Sequence, residues 1–193
     1  MLHAKEVCHP GFSRSEHQIS EQLRLTAVLP VMTELPALTL YYRHLFRTLC
    51  RVLRRSPTFC SAEAPQTLSL TAEITCDSER LLSIVCKLTA QKKELLRLAC
   101  VWSRQSGFPL PLSALSGTGK KNILAAVRKE TAARLHSGRY LYYADAEKLV
   151  ERYYSAGNYY VDSQGILLFY PPRTIASEIE GFPEFRLVFP ASP

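Results

Sequence analysis

The last third of this 193-residue chain limits its fold more than any other part. Two runs rich in aromatic and aliphatic side chains, residues 158–162 and 166–170, flank Ser163, Gln164 and Gly165. Short apolar runs separated by a glycine-bearing turn signal form a β-hairpin. Pro171 and Pro172 stop the second run, because proline fixes φ and cannot donate to a ladder. An irregular segment, 173–181, follows, and residues 185–189 are again strand-like. The chain therefore ends in β-structure, which rules out an all-helical fold.

The rest adds helices and more strands. Leu23, Leu25, Ala27 and Leu29 alternate with Gln22, Arg24 and Thr26, the period of a half-buried strand. From Ala37 to Arg55 the apolar positions Leu38, Tyr41, Leu45, Leu49 and Val52 recur at helical spacing, so an amphipathic helix is expected there. Three strands follow, near 67–76, 81–90 and 94–104, with turns at 77–79 and 91–93. The stretch 107–119 is rich in Pro, Gly and Ser and marks a connector. A helix over 120–137 should stop at Gly138, a natural left-handed C′ residue. Asp145 is expected to cap a short helix over 146–155. Residues 1–20 lack periodicity and are expected to form a disordered lead. The fold class is thus α+β, antiparallel sheet or sheets packed by helices, in the order strand, helix, three strands, two helices, three strands. The expected division is a lead over 1–20, an N-terminal α+β part over 21–105 and a C-terminal part over 106–193.

An apolar content of 47% with 21% charged residues suits a globular chain that buries a core. No window reaches the ~18 uninterrupted apolar residues of a membrane span. The first ten residues lack the basic start and apolar stretch of a signal peptide, so the sequence as it stands is expected in the cytoplasm. Cys76, Cys86 and Cys100 fall on the apolar faces of their strands and are expected to act as small core hydrophobes rather than disulfide partners. With no C-x-x-C pair, no zinc site is expected. His3, Cys8 and His9 are best read as part of a frayed tail. Ser116–Lys121 opens a helix with Gly and Lys, but Ala114 and Lys121 stand where a phosphate loop needs Gly and Ser or Thr. No catalytic residue and no cofactor are expected: no nucleophile, base and orienting group occur in a matched pattern.

Two features point to binding. Arg43, Arg47 and Arg51, with Arg54 or Arg55, line one helical face. Such a stripe can grip phosphates, although a solvated face opposite an apolar stripe has the same composition. The net charge of +7 and a pI near 9.2 agree with an anionic partner. The C-terminal third is also crowded with tyrosine, which offers large contact area at low entropy cost. Tyr159 and Tyr160 point to opposite faces of their strand.

Residues 158–170, 173–181 and 183–190, preceded by Ser106–Leu115, follow in order the pattern of a hairpin, a Tyr-Glu-Ile-Ala-Pro-like segment, a glycine and a final strand ending near proline. In this the chain resembles the C-terminal domain family of the anti-sigma-V factor RsiV, also found beside the peptidoglycan deacetylase PdaC. Residues 89–94 contain no glycine where that family carries a Gly-Gly-Ala-His-Gly-like loop. Arg173 and Thr174 stand in place of Tyr-Glu. The resemblance implies a non-catalytic, usually extracytoplasmic sensing module that docks a protein, lysozyme in RsiV. Both lysozyme and this chain are basic, which disfavours that partner through like-charge repulsion. The expected partner contacts are Tyr159, Tyr160, Tyr170, Arg173 and Glu178 on the tail. A weak anionic-surface or nucleic-acid contact at Arg43, Arg47 and Arg51 is the alternative.

Overall fold

The computed structural model of the chain describes residues 11–57 and 65–187. The fold is α+β. Strands β1 (Gly11–Ser20) and β2 (Leu23–Val31) lead into helix α1 (Pro36–Arg55), and β3 (Gln66–Asp77), β4 (Leu81–Ala90) and β5 (Lys93–Ser103) follow. Helices α2 (Leu112–Ser116), α3 (Lys120–Ser137) and α4 (Ala146–Arg152) come next. Strands β6 (Tyr159–Asp162) and β7 (Gly165–Phe169), a 3₁₀ turn (Glu178–Glu180) and β8 (Glu184–Leu187) close the chain. One sheet has the order β1-β2-β3-β4-β5, the other β6-β7-β8. The chain divides into two compact units. One runs up to Leu98 and includes Trp102–Phe108, and the other takes Ala99–Val101 and everything from Pro109 on.

In the first unit, β1 pairs antiparallel with β2, and β2 runs parallel to β3. Parallel neighbours need a crossover, and α1 supplies it. Leu23, Leu25 and Ala27 of β2 are fully buried, as are Leu38 of α1, Leu68 of β3 and Leu82 and Ile84 of β4. Each of these leucine and isoleucine side chains contributes roughly 1.5–3 kcal/mol on leaving water. Helix α1 starts without a side-chain cap. Pro36 occupies its first turn, where a missing N–H costs nothing. Thr39 anchors it instead, its Oγ1 accepting from Met32 N at 2.9 Å and donating to Met32 O at 3.1 Å. That anchor fixes which way α1 faces.

Five expectations are corrected here. The larger sheet is not purely antiparallel, because the α1 crossover brings β3 in parallel to β2, and the connector 107–119 holds the short helix α2, so three helices rather than two lie between β5 and β6. Residues 11–20, expected as a disordered lead, form β1; residues 1–10 lie outside the described residues. The buried stripe of α1 is Leu38, Tyr42, Phe46, Leu49 and Leu53, whereas Tyr41 and Val52 are 39% and 58% exposed. Asp145 does sit at the N-cap of α4, yet its side chain makes no capping bond, and α4 stops at Arg152. Gly138 has φ +62 at the end of α3, the left-handed geometry expected of it. Cys50, Cys76, Cys86 and Cys100 are free thiols.

In the second unit, β7 lies between β6 and β8, antiparallel to both. Tyr170 and Phe185 are buried and meet edge to face at 5.7 Å, and Ile123 and Val127 of α3 are buried as well. Asp162 closes the β6–β7 turn by accepting from Gln164 N at 2.8 Å. It also accepts from both terminal guanidinium nitrogens of Arg186, at 2.8 and 2.9 Å, across β7. That fork and the turn amide hold the Asp162 carboxyl down at about 2.

Candidate functional site

The tail residues singled out from sequence divide into two groups. Tyr159 and Tyr170 are only 3% and 1% exposed. Tyr159 donates its hydroxyl to Leu110 O, and Tyr170 donates to Val150 O at 3.1 Å. Burial pushes both phenols well above their ordinary range. These two are core residues with satisfied hydroxyls and present no surface to a partner, which corrects the expectation for them. Tyr160 is half-buried and donates to Glu184 Oε1 at 2.9 Å. Arg173 is exposed and forms an ion pair with Glu178, its Nε lying 2.8 Å from Glu178 Oε2. Arg173 holds φ +63, a conformation uncommon for a residue with a Cβ.

Around that pair the chain gathers aromatic and apolar residues that were not among the expected partner contacts. Residues 141–143 run alongside 175–177. Tyr143 N donates to Ile175 O at 3.2 Å, Ser177 N donates to Leu141 O at 2.8 Å, and Tyr142 bridges to Ala176. Leu141 N donates to Glu180 Oε1 at 2.8 Å. The result exposes Tyr140, Leu141, Tyr143 and, at 84%, Ile179. Arg134 of α3 braces this layer. It donates to Tyr142 Oη at 2.9 Å and to Glu184 O at 2.8 Å, and lies over the Tyr140 ring at 5.3 Å. The crowding of tyrosine was legible in the sequence, whereas Ile179, a lone isoleucine between two glutamates, gives no periodic signal.

In the first unit, Arg43, Arg47 and Arg51 are all exposed on α1. Arg43 and Arg47 also line a cleft of about 270 Å³ between α1 and the edge strand β1, along with Ser13, Ser15 and His17. Its apolar wall includes Phe46, whose ring sits 4.7 Å from that of His17. Arg51 does not reach the cleft.

No family model matches the chain, and no curated protein does. Solved structures do. A DUF3298 family protein from Pseudomonas aeruginosa superposes with a TM-score of 0.62 at 16% identity, over 92% of this chain and 89% of that one. A DUF3298 family member from Bacteroides fragilis gives 0.52 at 11% identity, over 93% and 88%. At these identities the likeness is one of fold: the chain shares its architecture, over nearly its whole length, with proteins of an uncharacterised domain family.

Proposed function

We propose that the chain is a non-catalytic protein-binding module that docks its partner on the patch formed by Tyr140, Leu141, Tyr143 and Ile179. The observation that carries this is Ile179, an aliphatic side chain 84% exposed and held in place by a hydrogen-bonded frame on both sides. Clustered exposed apolar groups rimmed by polar ones are a mark of interaction sites. At the rim Arg173 pairs with Glu178, and Glu180 accepts from the Leu141 amide. A tyrosine-rich face with a carboxylate at its rim suits a protein partner better than a polyanion.

The test is titration with lysozyme, the partner implied by the resemblance to the RsiV family, at physiological salt beside a second basic protein. Lysozyme-selective binding that Ile179→Glu weakens by roughly tenfold or more supports the reading. Equal binding by the variant overturns it. If lysozyme does not bind, a photo-crosslinker at position 179 in cells decides. A discrete adduct absent from a crosslinker at the solvent-facing Lys129 supports the docking face, and no adduct refutes it.

A second reading is favoured by the exposed arginines of α1, which suit an anionic partner. It predicts binding that falls steeply with salt and is lost in Arg47→Glu/Arg51→Glu.

A further inference from the structure

We propose that the cleft between β1 and α1 is a binding site for a small phosphate monoester with an aromatic or apolar body. This narrows the anionic reading of the α1 arginines from a whole helical stripe to a single pocket.

The argument starts from β1. Its register sets Ser13 opposite Leu29, Ser15 opposite Ala27 and His17 opposite Leu25. Facing residues on neighbouring strands share a face of the sheet. Leu25, Ala27 and Leu29 are buried under α1, so Ser13, Ser15 and His17 lie on that same face. A strand facing a helix should carry apolar residues there, as Ile19 does farther along β1. Ser-x-Ser-x-His instead leaves a polar-lined gap. Places where a chain breaks its own pattern without a packing gain are where function is expected.

The opposite wall supplies charge. Arg43 and Arg47 are four residues apart and so neighbours on one face of α1. Among the described residues neither makes an ion pair. Glu16 falls between the inward positions of β1 and is 3.6 Å from Arg14. Among the described residues no carboxylate lines the cleft. Two guanidinium groups balance a dianion, whereas one would satisfy a carboxylate. Serine hydroxyls add neutral donors. Phe46, Tyr42, Leu29, Pro30 and Val31 form the remaining walls and would cover an apolar body. A volume of about 270 Å³ holds a single-ring ligand and is too small for a polymer.

The probe is phenyl phosphate, titrated calorimetrically into the whole chain at neutral pH, with inorganic phosphate and phenol as controls. The expected dissociation constant is roughly 0.1–3 mM, in line with so small a ligand. Arg43→Gln and Arg47→Gln should each weaken it about tenfold or more, and Arg51→Gln and Arg54→Gln should leave it unchanged. All four arginines are exposed, so each variant should keep the parent melting temperature. Absence of saturable binding overturns the site. So does equal affinity for inorganic phosphate, which would take the walls out of the contact. Weakening by Arg51→Gln or Arg54→Gln as large as by Arg47→Gln, or tighter binding of an oligonucleotide with that same pattern, overturns it in favour of the stripe.

Discussion

The Asp162–Arg186 fork makes the second unit sensitive to acid in a way that can be worked out. Asp162 → Asn keeps an oxygen for the Gln164 amide but removes the charge that Arg186 grips from across β7. The carboxyl sits at about 2, against 3.8 for an ordinary aspartate. That gap is worth roughly 2 kcal/mol taken at face value. Both side chains are about a quarter to a third exposed, at 27% and 33%, so solvent screening reduces it to about 1 kcal/mol. The folded value lies below the unfolded one. The stabilisation is therefore complete above 3.8 and is lost as pH falls from there through about 2. Urea unfolding followed by circular dichroism should place Asp162→Asn about 1 kcal/mol below the parent at pH 6. The gap should close as the pH approaches 2. Carbon NMR of the Asp162 carboxyl should show a midpoint near 2 that returns toward 3.8 in Arg186→Met. A stability gap that stays constant across this range, or a midpoint unmoved by Arg186→Met, would refute the reasoning.

Two other outcomes follow from buried groups. Tyr170→Phe leaves Val150 O without its donor in the core and should cost about 1–2 kcal/mol in the same unfolding assay, with no change in docking on the Ile179 patch. Burial lifts the Cys100 thiol to about 12, so its thiolate at pH 8 should be roughly a thousandfold scarcer than that of an ordinary cysteine. Iodoacetamide followed by mass spectrometry should leave Cys100 unmodified in the folded chain and label it in urea.

Where a sequence pattern is self-consistent it translated directly into structure. The meander strands are found at 66–77, 81–90 and 93–103, and α3 ends where Gly138 permits a left-handed turn. The facing of α1 was less legible. Tyr41-Tyr42, Leu45-Phe46 and Val52-Leu53 are apolar doublets, so two stripes one residue apart fit the helical period equally well. The Thr39 anchor, a tertiary contact, chooses between them. Strand β1 carried no alternation because its helix-facing positions are Ser13, Ser15 and His17 and its other face is solvent. The parallel pairing of β2 with β3 depends on a crossover that period and propensity do not encode. At the tail, the crowding of tyrosine pointed to Tyr159 and Tyr170, yet these two are the buried ones, while Tyr140, Tyr143 and Tyr153 are exposed. The exposed patch arises from two segments distant in sequence, 140–143 and 175–179, which only the fold brings together.

The parallel seam between β2 and β3 also sets an order of assembly. The β1–β2 hairpin and the β3–β4 pair join neighbours in sequence, so each can close early at low entropic cost. Leu25 can meet Leu68 only after the intervening chain has been brought round, and the antiparallel pairs do not pre-pay that loop. The seam is the non-local contact of this sheet, and such contacts slow folding. Until it closes, the hairpin and the β3–β4 pair each present an open strand edge, β2 and β3, to any other chain in the same state. The nascent protein is thus most exposed to misassociation along the same line that later lies at the heart of its larger sheet.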